Sequence, residues 1–107
     1  MHIEYEKLVR DRIPAIIRGE GKQYEIRTLS NSEYRRALRK KLVEEAREAA
    51  CSSEADLASE LGDLLEVVDA IAKAYDIDQT TVQDKRIAKR LERGGFDKRI
   101  ELLWVEE

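Results

Sequence analysis

Between Asn31 and Tyr75 the sequence carries two stretches of about twenty residues with apolar side chains at helical spacing, separated only by Cys51-Ser52-Ser53. That gap is too short for anything but a turn, and amphipathic helices must bury one face, so the pattern predicts a helical hairpin. Ser30 with Glu33 three places later is a capping-box pattern, which starts the first long helix at about Asn31 and carries it to about Ala50. Ser52 and Ser53 offer caps for the second, from about Glu54 to Tyr75.

Shorter elements flank this pair. The stretch from Lys7 to Arg18 suggests a short helix with Pro14 in its first turn, where a missing N–H costs little, ended by Gly19 and Gly21. Tyr24, Ile26 and Thr28 alternate with polar residues, so Gln23 to Leu29 is expected as a short strand. A further helix starts near Thr80 or Thr81 and stops at Gly94-Gly95. The apolar, β-prone stretch from Ile100 to Val105 is expected to pair with the earlier strand or to dock extended. There is no repeat, linker or low-complexity segment, and 107 residues fit one domain, 1–107. The expected class is mainly α, a helical bundle with short peripheral β segments.

Charge and composition narrow the chemistry. With 20 Lys and Arg against 23 Asp and Glu the net charge is -3, so a nucleic acid is not the expected partner. No run approaches the roughly 18 apolar residues of a membrane helix, and the first residues form no signal-peptide core; a cytoplasmic location without a membrane partner is expected. One cysteine, Cys51, excludes an intramolecular disulfide. With a single histidine, His2, the familiar Cys/His zinc sites cannot be assembled. Any metal must therefore be held by carboxylates.

Placing residues at about 100° intervals shows where those carboxylates fall. On the first long helix Tyr34, Leu38, Leu42 and Ala49 lie within about 40° of Leu38, and Glu45, at about -20°, falls inside this apolar stripe. Glu48 and Lys41 lie on one shoulder of it, at about -80° and -60°. On the second helix Leu57, Leu61, Leu64, Val68, Ile71 and Tyr75 form the expected buried stripe, with Glu60 and Asp63 on one shoulder at about -60° and -120°. An unpaired carboxylate on a buried face costs several kcal/mol, so Glu45 needs a cation. Mg²⁺, with Mn²⁺ as a substitute, is the hard ion that such oxygen ligands suit, and Glu45, Glu48, Glu60 and Asp63 are the proposed ligands. Glu44, at about -120°, is expected outside the ligand set. The plain alternative is a solvated acidic helix face, common in a chain with 40% charged residues.

Glu44-Glu45-Ala46-Arg47-Glu48 followed by Glu60-Leu61-Gly62-Asp63 resembles the EExxE…ExxD signature of the all-α nucleoside triphosphate pyrophosphohydrolases, the superfamily of the MazG-like and phosphoribosyl-ATP pyrophosphohydrolase enzymes. Lys7-Leu8-Val9-Arg10-Asp11-Arg12-Ile13-Pro14 resembles the KLVRDKIP opening of one MazG-like branch, and Arg93-Gly94-Gly95-Phe96 resembles its RGGF. The resemblance covers nearly the whole chain. It implies helical acids that bind Mg²⁺ and hydrolysis between the α- and β-phosphates to a nucleoside monophosphate and pyrophosphate, with a non-standard nucleotide as one candidate substrate. Leu64-Leu65-Glu66-Val67-Val68 follows Asp63 where the phosphoribosyl-ATP enzymes usually carry a Tyr-His or similar pair, which disfavours a dedicated phosphoribosyl-ATP activity.

The helical spacing makes Glu45 the candidate base. A triphosphate also needs basic partners. The resemblance points to Lys7 and Arg10, while Lys41, Lys85, Arg93 and Arg99 are further candidates. Gly94 and Gly95 read as a helix stop, because phosphate-cradling glycine loops precede a helix N-terminus. The apolar stripes of the long helices exceed what one short helix can cover, so a homodimer or higher homo-oligomer is expected. A competing reading is a non-catalytic helical dimerisation or partner-binding module. A di-iron bundle is disfavoured, because it requires Glu-x-x-His.

Overall fold

The computed structural model describes residue 3 and residues 5–107, so His2 lies outside the described residues. Among these residues the chain forms four helices: α1 (Ile13–Gly19), α2 (Asn31–Cys51), α3 (Glu54–Ala74) and α4 (Gln79–Arg93). The mainly α class follows directly from the patterning. α2 and α3 form the dominant packing, and α4 touches α3 alone.

Local chemistry sets the helix ends. The Ser30 hydroxyl accepts from the Glu33 N–H at 3.3 Å, and the Glu33 carboxylate accepts from the Ser30 N–H at 3.1 Å, a complete capping box. Ser52 donates its hydroxyl to the Ala49 carbonyl at 3.1 Å, closing α2, while Ser53 accepts from the Asp56 N–H at 3.3 Å, opening α3. The turn is therefore reduced to two serines, one for each helix. α4 begins slightly before the expected threonines, because Asp78 caps it by accepting from the Thr80 N–H at 3.0 Å. Gly94 ends it at φ 84°, a backbone conformation that favours glycine.

Several expectations are corrected. The first helix does not reach back to Lys7. Pro14 has no N–H to give the Arg10 carbonyl, so the helix begins at Ile13 with Pro14 in its first turn. Neither Gln23–Leu29 nor Ile100–Val105 forms a strand among the described residues. Both are β-prone, yet each lacks a neighbouring backbone with which to share a ladder. The expected stripe of α3 holds in part: Leu64, Val68, Ile71 and Tyr75 are half-buried, whereas Leu57 and Leu61 are exposed and the most buried residues, Val67 and Ala72, lie outside it. α3 is apolar around much of its circumference, so hydrophobicity alone does not select a face; the short turn and the pairing with α2 do.

The core is small. Leu38, 2% exposed, is its anchor on α2, and Glu45 is buried on the same side two turns later. At the far end of the hairpin Arg35 donates from Nε to the Ala74 carbonyl at 3.0 Å, satisfying an orphan carbonyl of the α3 C-terminus. Its guanidinium and that of Arg39 lie 4.7 and 5.0 Å from the centre of the Tyr75 ring, and Arg39 Nε donates to the Tyr75 hydroxyl at 2.8 Å. No helix among the described residues is long and apolar enough to cross a membrane.

Candidate metal centre

The two-serine turn acts on the acids through helical rise. Glu45 precedes the last residue of α2 by as many positions as Glu60 follows the first of α3, so both stand about 9 Å from the turn. The hairpin therefore sets them level. One carboxylate oxygen from each of Glu45, Glu60 and Asp63 lies within 4.8 Å of the others, and Glu44, Glu45 and Glu48 form a second such group. Glu45 belongs to both.

Burial makes this arrangement costly as it stands. Glu45 is 7% exposed, and among the described residues its Oε2 and the Oε2 of Glu60 are buried with no hydrogen-bond partner. Buried carboxylate oxygens without partners are uncommon because desolvation is then uncompensated. On the other side of the Glu45 carboxylate, Oε1 lies 3.4 Å from Lys41 Nζ, which also lies 3.5 Å from Glu44 Oε1. Arg10 Nη2 donates to Asp63 Oδ1 at 2.9 Å. Two cations thus stand against five carboxylates, an excess of three negative charges when all are ionised. Repulsion from Glu45, with partial desolvation, pushes the Glu48 carboxyl above the usual carboxylate range, and the charges of Glu60 and Glu44 add to this.

The oxygen-only donor set, its clustering and its two unpartnered buried oxygens fit a hard divalent cation. Mg²⁺ usually keeps several waters, so three or four carboxylates drawn from two helices suffice. Of the four expected ligands, Glu45, Glu60 and Asp63 fall in one group and would hold it, whereas Glu48 is grouped with Glu45 and Glu44 and not with Glu60 and Asp63. Glu44, expected outside the ligand set, reaches the cluster through its group with Glu45 and Glu48.

The basic candidates divide. Arg10 and Lys41 reach the cluster, each already on an acid of it. Lys7 lies with its Nζ 5.5 Å from the centre of the Tyr5 ring. Arg93 ends α4, and Arg99 follows it at φ 56°; both are exposed, and neither makes an ion pair with these acids among the described residues. Lys85 is likewise an exposed residue of α4. A concavity of about 500 Å³ is lined by Lys40, Val43, Glu44, Arg47 and Glu48, all on α2, and meets the cluster only through two of its acids. The carboxylate geometry, not this groove, marks the site. The Arg35–Arg39–Tyr75 clamp escaped the sequence reading; two arginines one turn apart level with an aromatic at the opposite helix end were the available signal.

Comparison with known proteins adds a partial likeness here. The chain is 50% identical to an uncharacterized protein of Mycolicibacterium smegmatis over 56 residues, which are 52% of this chain and 57% of that protein. The chain therefore spans little more than half the length of the relative it matches. No family model matches the sequence, and no solved structure matches it.

Proposed function

We propose that this chain is a Mg²⁺-dependent nucleoside triphosphate pyrophosphohydrolase, hydrolysing a standard or non-canonical nucleotide between its α- and β-phosphates to a monophosphate and pyrophosphate. The observation that supports this reading most directly is the convergence of Glu45, Glu60 and Asp63 within 4.8 Å, with two buried carboxylate oxygens unpartnered. The motif resemblance supplies the reaction class. When bound, a divalent ion offsets the phosphate charge and makes a water more acidic.

The chain's own residues divide the remaining work. Lys41 fixes the Glu45 carboxylate through Oε1, leaving Oε2 to accept a proton from the attacking water. The water oxygen bonds to the α-phosphorus, the bond from that phosphorus to the bridging oxygen breaks, and pyrophosphate leaves. Arg10, at the exposed rim beside Asp63, is positioned to exchange a carboxylate for a phosphate oxygen as substrate arrives. Lys7, Arg93 and Arg99 remain candidates for the outer phosphates. A homo-oligomer is part of the same proposal.

Incubation with Mg²⁺ and a panel of standard, deoxy and damaged nucleoside triphosphates plus phosphoribosyl-ATP tests this reading. Monophosphate and pyrophosphate from one member, lost in Glu45→Gln, are expected. The second reading, a dimerisation or partner-binding module, is favoured by the exposed apolar residues of α3 and α4. It predicts no product from any member and no Mg²⁺ effect on melting temperature.

A further inference from the structure

The group of acids has two rims, and they differ. At one, Arg10 Nη2 lies on Asp63, so the segment before α1 covers that side. At the other, Glu44 and Glu48 border the concavity of about 500 Å³ on α2, whose remaining lining is Lys40, Val43 and Arg47. Glu48 is exposed and Glu44 half-buried, so this second rim is open to solvent.

Helical spacing explains why the two cations of the open rim are free. Lys40 stands four residues before Glu44 and Arg47 three after it, and Glu44 is the one acid that either can meet at pairing distance along α2. Glu44 is already taken. Its Oε1 lies 3.5 Å from Lys41 Nζ, and Glu45 holds that same nitrogen at 3.4 Å from the buried side of the helix. Among the described residues, neither Lys40 nor Arg47 makes an ion pair.

Charge determines what such a rim accepts. The five acids with Arg10 and Lys41 carry an excess of three negative charges, so one divalent ion still leaves the centre negative. A chain of phosphates is repelled from a negative centre unless further cations face it. Lys40 and Arg47 supply two, enough to reverse the sign. They are separated by about 10 Å along the helix axis, the scale of several linked phosphates and not of one.

We infer that Lys40 and Arg47 receive the β- and γ-phosphates of the nucleotide, and afterwards the pyrophosphate, along the outward side of α2, leaving the α-phosphate over the acids. This rests on the pyrophosphohydrolase reading and adds the direction from which the substrate enters. Lys7, Arg93 and Arg99 line no part of the concavity.

Titration calorimetry with tripolyphosphate in saturating Mg²⁺ tests the seat without needing turnover. The double variant Lys40→Gln, Arg47→Gln is expected to bind it at least roughly tenfold more weakly, the scale of one lost charge-assisted hydrogen bond. The same variant is expected to bind Mg²⁺ alone at least as tightly as wild type, because neither cation is a ligand. Lys40→Arg with Arg47→Lys, which keeps both charges, is expected to restore tripolyphosphate binding. Lys89→Gln with Arg90→Gln, an equal loss of charge on exposed positions of α4, is expected to change nothing. With a nucleotide that is turned over, the first variant is expected to raise KM by a similar factor and to leave kcat within about threefold. Unchanged tripolyphosphate binding and unchanged KM in that variant would overturn the inference and leave the activity standing, as would equal weakening by the α4 pair. Tripolyphosphate binding that depends on Lys40 and Arg47 in a protein that hydrolyses no nucleotide would support the seat and overturn the activity. Neither binding nor turnover by the wild type would overturn both.

Discussion

Arg10, which lies in the segment before α1, places its guanidinium Nη2 2.9 Å from Oδ1 of Asp63 on α3. The pair ties the segment before α1 to one of the proposed ligands. Because it is largely exposed, its contribution to stability is small, and Arg10→Ala is expected to leave the melting temperature nearly unchanged. The same change frees Asp63. Mg²⁺ affinity, measured by titration calorimetry, is expected to rise up to about fivefold, the equivalent of the roughly 1 kcal/mol ceiling for an exposed pair. Turnover of a nucleotide is expected to fall.

Glu45→Gln keeps the shape of a buried side chain and removes its charge. The fold is expected to persist, with turnover reduced more than about 100-fold, beyond the cost of losing an outer-shell metal partner. Leu38→Ala, on the same stripe, supplies the contrast: it is expected to cost about 2–5 kcal/mol of stability in chemical denaturation because it empties the anchor of the core.

Metal should act on stability through the acids. Saturating Mg²⁺ at about 100 times its dissociation constant is expected to stabilise the fold by about 2.7 kcal/mol, read as a higher melting temperature that a chelator reverses. Glu60→Gln removes one of the two unpartnered oxygens' carboxylates and is expected to abolish most of that increment. An equal Mg²⁺ response in Glu60→Gln would argue against Glu60 as a ligand.

The pH dependence has a separate origin at the start of α2. Arg27, hydrogen-bonded to Glu33 at 3.1 Å, together with the capping bonds to Ser30, lowers the Glu33 carboxyl from 4.5 to about 2. A carboxylate with a depressed folded value stabilises the fold above its unfolded value and loses that contribution as pH falls through the folded one. Glu33→Gln is therefore expected to melt below the wild type at neutral pH. The difference should shrink between about pH 4.5 and about pH 2 and vanish below that window.

Much of this was legible from residue order. The capping box, the serines of the turn and the placement of Glu45 within an apolar stripe are local facts, fixed by spacing along one helix or across one short turn. The meeting of Glu45 with Glu60 and Asp63 follows from the same two quantities. What was not legible depended on choices between alternatives of similar hydrophobicity. On α3 the stripe is half-buried at Leu64, Val68, Ile71 and Tyr75 but exposed at Leu57 and Leu61, a difference along the helix that periodicity does not specify. Gln23–Leu29 and Ile100–Val105 have strand-like composition, yet strand formation is decided by a neighbour that composition does not specify. The pairing of Arg10 with Asp63 joins residues 53 positions apart, beyond the reach of any helical period.

The two-serine turn has a kinetic consequence. Because every proposed ligand lies between residues 45 and 63, the centre closes through contacts that are short in sequence, and loop-closure entropy opposes its assembly only weakly. The electrostatic work of crowding those acids is thus done early, in the hairpin, before a distant segment such as the one carrying Arg10 has returned. A divalent ion held by the proposed ligands during folding would lower the barrier at that step, so it would speed refolding and leave the unfolding rate little changed.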